Sequence, residues 1–272
     1  MFAADPKGRE MFEARTFSGK AALQLLAFVI VVPFIFPLVV MFQGSLAGQG
    51  WENYSIVLAR PELPLFFRNS LIIATATVAI VCTATMLAAF GFSKLYIRGK
   101  EVLFWMLLVT MTLPEVVLLT PLFSTLISVN MYNTYWAVIL PLAALQVPFT
   151  VLLARTFVNG IPDELLDAAR IDGARTVQVF WHIVLPLMRP IAAAVVVLTL
   201  ITAWNAYLLP LVFLVDTSSQ TVTLLPQFFI SQFSRDQTKV LAAAVIVAIP
   251  EVIAYLLLQR AFERGLSAGA LK

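Results

Sequence analysis

The chain has 272 residues, of which 61% are hydrophobic and 12% charged, and its formal net charge is +3. A water-soluble domain carries about 25% charged and 45–50% apolar residues, so this composition excludes a soluble enzyme and points into a membrane. One Cys rules out a disulfide framework within the chain, one His leaves no histidine-based metal cluster, and the small positive charge supplies no basic face for nucleic acid.

A membrane-crossing helix needs roughly 20 mostly apolar residues. Six runs qualify: Ala21–Phe42, Ser70–Phe92, Val102–Ile127, Tyr132–Leu153, Ile191–Leu214 and Val240–Leu258. Residues 1–20 read as a tail of mixed charge. Ser45-Leu46-Ala47 has the small-x-small look of a signal cleavage site, but the first run is longer than the roughly 7–15 residues of a signal core, so a retained helix is expected. Cys82, within the second run, reads as a small buried side chain. The third run holds Glu115 directly after Pro114. Pro141, Gln146 and Pro148 interrupt the fourth; their freed backbone groups call for protein neighbours rather than lipid.

Between the fourth and fifth runs lies a long connection, residues 155–190. Pro162 suits a first helical position, and Asp163 and Glu164 complement the positive end of a helix dipole. Leu165, Ala168, Ala169 and Asp172 recur at spacings of three and four, which predicts one helix face. Gly173 permits a positive φ and ends that helix. A second amphipathic helix follows with Val177, Phe180, Trp181, Val184 and Leu185, and Pro186 and Pro190 punctuate the entry to the fifth run. His182 falls on this hairpin and reads as a satisfied surface or interface residue.

In the fifth run Thr199, Thr202 and Asn205 form a polar stripe with Trp204 and Tyr207 beside it. Hydrogen-bonding groups next to aromatic faces suit a sugar; bonding between helices is the competing use. The sixth run holds Glu251 directly after Pro250. Acids inside a span usually face protein or water and are functional candidates. Alternatively, a protonated carboxyl at Glu115 or Glu251 bonds a carbonyl left free by the missing proline amide.

Lys and Arg set the orientation. One side of the membrane takes Lys7, Arg9, Arg15, Lys20, Lys94, Arg98, Lys100, Arg155, Arg170, Arg175, Arg189, Arg260, Arg264 and Lys272, and the other takes only Arg60, Arg68, Arg235 and Lys239. Both termini and the hairpin are therefore expected in the cytoplasm. Such a hairpin could cover the bundle at the membrane surface, bind DNA as a helix-turn-helix, or dock a soluble partner. Asp163, Glu164, Asp167 and Asp172 would repel phosphate, which disfavours DNA.

Asp167-Ala168-Ala169, three residues, Gly173, nine residues, then Ile183-x-Leu185-Pro186 resembles the EAA loop of ABC-importer permeases, with Asp167 where that loop usually has Glu. Ala203-Trp204-Asn205, Leu209-Pro210-Leu211 and the ending from Gln259-Arg260 through Gly265-Leu266 to Gly269-Ala270-x-Lys272 resemble the maltose-permease-like, carbohydrate-uptake branch, in particular its smaller six-span subunit. The resemblance implies an all-α membrane protein of six transmembrane helices, with a cytoplasmic helix-Gly-helix coupling hairpin between the fourth and fifth. It divides the chain into a tail over 1–20, a permease domain over 21–258 and a cytoplasmic tail over 259–272.

The resemblance further implies coupling to an ATPase through Asp167, Ala168, Ala169, Asp172, Gly173, Ile183, Leu185 and Pro186. Implied partners are a second permease chain, a dimer of nucleotide-binding subunits that holds ATP and Mg, and an extracytoplasmic solute-binding protein facing about Val215 to Thr238. The implied location is a bacterial or archaeal inner membrane. Trp204, Asn205, Tyr207 and Glu115 are candidates for the substrate path. No G-x-x-x-x-G-K-[ST] phosphate loop occurs, so ATP hydrolysis is not expected in this chain, nor is any bound cofactor or metal. The competing class is a proton-coupled secondary transporter that uses Glu115 and Glu251. An intramembrane enzyme would need a nucleophile–base pair that one His on the hairpin does not supply.

Overall fold

The computed structural model describes residues 17–230 and 236–270. Most of the tail expected over 1–20, Arg235, and Leu271-Lys272 lie outside the described residues, as do the side chains of 260–270 that carry the C-terminal motif. The helices run α1 Phe17–Ser45, α2 Glu52–Leu58, α3 Leu63–Lys94, α4 Lys100–Val109, α5 Glu115–Ser128, α6 Trp136–Asn159, α7 Asp163–Ile171, α8 Thr176–Val179, α9 Leu185–Leu187, α10 Arg189–Trp204, α11 Leu208–Phe213 and α12 Gln237–Ala270. Among the described residues there is no strand element.

Four of these are long and apolar enough to cross a membrane: α1, α3, α6 and the Gln237–Leu257 part of α12. Two bent pairs raise the number to six if each pair is one span. The third predicted run is one of them. It bends by 102° between Lys100–Thr112 and Glu115–Ser128, because Leu113 and Pro114 are extended, at ψ 118° and 137°, and Pro114 has no amide to continue the ladder. The fifth predicted run stops earlier than Leu214. Its helix ends at Trp204, and α11 is a separate short helix. In the sixth, α12 continues unbroken past Leu258 to Ala270.

The bundle is built around α3, which packs on α6 and α10, while α10 packs in turn on α12. Small residues permit this. Ala74, Ala89, Ala143, Ala154, Ala194, Ala203, Ala242 and Ala243 are all buried, as expected where helices approach closely in a membrane. Thr85 of α3 and Thr150 of α6 share a buried hydroxyl–hydroxyl bond of 2.7 Å, of a kind worth about 0.6 kcal/mol. By contrast α1 is exposed along its length and packs chiefly on α12; they approach closely at Gly44, where a Cβ would come within 2.6 Å of Leu241 Cδ1 and displace that side-chain tip.

At the end remote from the hairpin, polar side chains pin the connections. Asn69 is fully buried; its amide donates to the carbonyls of Ser218 (2.9 Å) and Gln220 (2.8 Å), and it accepts from the Tyr135 hydroxyl at 2.7 Å. Ser70 Oγ accepts from the Val222 amide at 2.9 Å. Asn133, at φ +60°, accepts the Val215 and Asp216 amides at 3.0 and 3.1 Å.

Asp236 caps α12. Its Oδ1 accepts from the Thr238 hydroxyl at 2.7 Å and the Lys239 amide at 3.3 Å, and its Oδ2 pairs with Lys239 Nζ at 2.6 Å. The hydrogen bond from the Lys239 ammonium, then that from Thr238, bring its carboxyl from the ordinary 3.8 down to about 2. The lowered value means that the contribution to stability is whole above pH 4 and is lost as pH falls through about 2. Replacing an N-cap by Ala costs about 1 kcal/mol, or about 2–4 °C of melting midpoint in a chain of this size. An Asp236→Ala variant should show that deficit at pH 7 in a melting experiment, with the gap to wild type narrowing from pH 4 towards pH 2; a pH-independent gap would contradict the assignment.

Candidate functional site

The connection between α6 and α10 folds as two short helices joined at Gly173. Helix α7 closes as expected of a glycine C-cap: the Gly173 amide donates to Arg170 O at 3.0 Å and the Ala174 amide to Ala169 O at 2.9 Å. Gly173 sits at φ +81°, and a Cβ added to it would meet nothing within 4 Å. The second helix starts at Thr176. The Arg175 amide donates to Gln178 Oε1 at 2.8 Å, and the helix widens to a π turn over Phe180–Val184.

Burial divides the hairpin differently from the face predicted on α7. Leu166 and Ala169 point into the core, whereas Leu165, Ala168 and Asp172 face out with Asp167. The stripes Leu166/Ala169 and Leu165/Ala168/Asp172 have the same periodicity, and packing against α3 and α6 decides between them. On the second segment Val179, Phe180, Val184 and Met188 are buried, with the Phe180 ring 5.2 Å from that of Phe90 in α3. Val177 and Trp181, expected on the same side as Phe180 and Val184, are exposed instead, and Leu185 and Ile183 are half-buried. Pro186 is exposed.

The result is a knob with an apolar outer surface. Leu165 is 46% exposed, Ile171 87%, Val177 66% and Trp181 57%, far more than a free surface of this size needs to show. Beside them an open hollow of about 360 Å³ is lined by Asp172, Gly173, Ala174, Gln178, His182 and Ile183. Asp167 pairs with Arg170 one turn on, at 2.9 Å, both exposed. His182 Nδ1 bonds Gln178 O at 3.0 Å.

One ion pair seats the knob on the bundle, and a second ties α6 to α4 just before it. Lys94, at the end of α3 and only 7% exposed, donates to Ile161 O at 2.7 Å and to Asp163 Oδ1 at 2.6 Å. The hydrogen bond and charge of Lys94 hold the Asp163 carboxyl below its usual range. Arg155, at the end of α6, pairs with Glu101 at the start of α4 and lies over the Phe104 ring at 4.0 Å. Sequence reading missed both pairs, whose partners stand 69 and 54 residues apart.

The candidates for a solute path are less uniform. Trp204 is turned into the core, its indole N–H donating to Val247 O at 3.2 Å and its ring 5.9 Å from that of Phe67. Thr199 is buried, and Thr202 bonds Leu198 O one turn back. Asn205 is exposed at the end of α10, and its amide donates to Glu251 Oε1 of α12 at 2.7 Å. The partner of Glu251 is thus a side chain across the helix pair rather than a carbonyl one turn back. Tyr207 is 42% exposed and accepts from Gln227 Nε2 at 2.7 Å. Glu115 begins α5 at the elbow of the bent pair, where the helix dipole favours an acid. It does not meet Asn205, Tyr207 or Glu251 in any hydrogen bond of this structure. Between the elbow and α6 lies an apolar hollow of about 630 Å³. Among the described residues no group of three or more His, Cys, Asp or Glu could hold a metal ion.

Comparison with known proteins places this architecture. The profile described as binding-protein-dependent transport system inner membrane component matches residues 80–268. The chain is 31% identical over 276 residues to the melibiose/raffinose/stachyose import permease protein MelC of Bacillus subtilis, covering 96% of this chain and 100% of that one. It is 36% identical over 224 residues to the sn-glycerol-3-phosphate transport system permease protein UgpE of Yersinia enterocolitica, covering 79% of each. Among solved structures, one chain of a bacterial ABC transporter involved in import of the acidic polysaccharide alginate superposes with a TM-score of 0.72 at 19% identity, covering 96% of this chain and 99% of that one. That likeness is one of fold.

Proposed function

The chain belongs to the family of binding-protein-dependent transport system inner membrane components, and from that premise we propose that it is the six-span permease subunit of an ATP-driven importer for a sugar, oligosaccharide or related polyol. It is a multi-pass membrane protein and a transport component rather than an enzyme. In the proposed assembly it pairs with a second permease chain and receives solute from an extracytoplasmic binding protein. An ATPase dimer in the cytoplasm, which holds ATP and Mg, drives it. The excess of Lys and Arg on the hairpin side supports a cytoplasmic hairpin and cytoplasmic termini.

The observation that carries this reading is the hairpin. Leu166, Ala169, Phe180 and Val184 bind it to the ends of α3 and α6, while Leu165, Ile171, Val177 and Trp181 are left for a partner to cover. A segment clamped on one side and apolar on the other can pass a push from a soluble engine into the spans. Nucleotide-driven movement of the knob would tilt α3 and α6 and expose the solute path to each side in turn. The breaks at Pro114 and Asn205 supply points where segments can bend.

The test is uptake into vesicles holding the chain with its co-purifying partners. We expect uptake to require ATP and all subunits and to ignore an imposed pH gradient, and the isolated chain to hydrolyse no ATP. Uptake by the isolated chain that follows a pH gradient would favour a proton-coupled carrier using Glu115 and Glu251 and overturn the proposal.

A further inference from the structure

The Asn205–Glu251 contact is a polar pair on the outer surface of an apolar bundle. Glu251 lies fourteen residues into α12 from Gln237, which at 1.5 Å per residue is about 21 Å along the helix. A hydrocarbon layer is about 30 Å thick, so the carboxylate lies within it, about 9 Å short of the end of the span at Leu257. Asn205 is exposed and Glu251 half-exposed, so the pair stands at the surface of this chain and is not sealed within it. Only Oε1 of the carboxylate is engaged by Asn205, whose amide also bonds Ile201 O at 3.0 Å. A carboxylate at this depth is too costly to face lipid. The face that carries it must look onto a second protein chain or onto water.

Within the six apolar runs there is no Lys or Arg, and the acids are Glu115 and Glu251 alone. Trp204, bonded to Val247 one turn earlier, fixes α10 against α12, so Asn205 is held in place to orient the carboxylate.

Resting on the importer reading above, we propose that Glu251, oriented by Asn205, presents a fixed negative charge to the solute passage. The passage thereby admits neutral or cationic polyhydroxylated solutes and disfavours anionic ones such as phosphorylated or uronate sugars. The free carboxylate oxygen accepts hydrogen bonds from hydroxyl or ammonium groups, and it repels phosphate and carboxylate groups in a space where water screens poorly. Neutral and anionic cargoes both appear among the names of similar permeases.

The test reads the passage with small charged probes and does not depend on knowing the solute. Cys82 is the chain's one cysteine, so a Cys82→Ser background carrying Ala254→Cys places a single thiol of this chain in the hollow that Glu251 lines with Leu71, Leu200 and Trp204. The assembled importer in membrane vesicles is treated with a cationic methanethiosulfonate ethyltrimethylammonium or an anionic methanethiosulfonate ethylsulfonate, and labelling is followed on this chain. We expect labelling in at least one nucleotide state. The cation-to-anion rate ratio, normalised to a small thiol in water, should be raised roughly three- to tenfold and should return to near unity when Glu251→Gln is added. No labelling by either probe in any nucleotide state, or a ratio that Glu251→Gln leaves unchanged, overturns the proposal. ATP-dependent uptake by the same vesicles reports separately on the importer reading, so either can fail without the other.

Discussion

A Gly173→Val variant should reach the membrane in normal amounts and lose solute uptake. At φ +81° a Cβ meets no neighbour, so the penalty is torsional: about 1–2 kcal/mol for an L residue in the left-handed region, and more when it is β-branched. The chain escapes that penalty only by giving up the bonds from Gly173 N to Arg170 O and from Ala174 N to Ala169 O, which set the angle between the two helices of the knob. A shift of this size changes populations about 5- to 30-fold, and uptake should fall by a similar factor. Gly173→Asn is the control, because Asn enters the left-handed region more readily, and it should keep most of the uptake. The check is uptake per unit of membrane-inserted chain, with ATPase activity of the assembly measured alongside. Uptake at the normal rate by Gly173→Val would remove the turn from the proposed mechanism.

Asn69→Leu should damage the opposite end. The substitution keeps the branching of the side chain but leaves the carbonyls of Ser218 and Gln220 and the hydroxyl of Tyr135 without their buried partner. Each orphaned group costs about 1–3 kcal/mol, so a loss of about 3 kcal/mol or more is expected. The melting midpoint of the purified assembly should fall by roughly 6–12 °C, and added protease should cut within residues 214–222 at a rate the wild type does not show. Tyr135→Phe removes one of the three bonds and should produce about a third of the effect. Equal melting curves for Asn69→Leu and wild type would show that other contacts, such as Ser70 with Val222, hold this segment.

Much of this architecture is visible in the residue order, for a physical reason. The bilayer demands long apolar helices, and runs such as Ser70–Phe92 and Tyr132–Leu153 can be little else; the first lies within α3, and the second coincides with α6 from Trp136 onward. The breaks were harder. Pro121, Pro141 and Pro148 all stay inside helices, so nothing local distinguishes Pro114, where the chain turns by 102°. Asn205 ends α10 without a glycine or proline to announce it.

For the hairpin, Gly173 and its turn were legible because a positive φ singles out glycine. The buried face of α7 was not, because two stripes of equal period compete and the choice is made by α3 and α6. The Lys94–Asp163 pair that seats the knob, the Arg155–Glu101 pair between α6 and α4, and the Asn205–Glu251 contact join residues far apart in the chain. Their one sequence signal was a charged or amide side chain at the edge of, or within, an apolar run.

The attachment of the knob to α3 has a geometric corollary. With 32 residues, α3 is about 48 Å long at 1.5 Å per residue. Lys94 and Phe90, at one tip, hold the knob, while Asn69, near the other, holds the loop after α11. A see-saw of about 10° around the middle of such a rod swings each tip by about 4 Å, in opposite directions. On the importer reading, one rigid rod would supply reciprocity without further parts: a stroke that drew one mouth of the bundle together would spread the other.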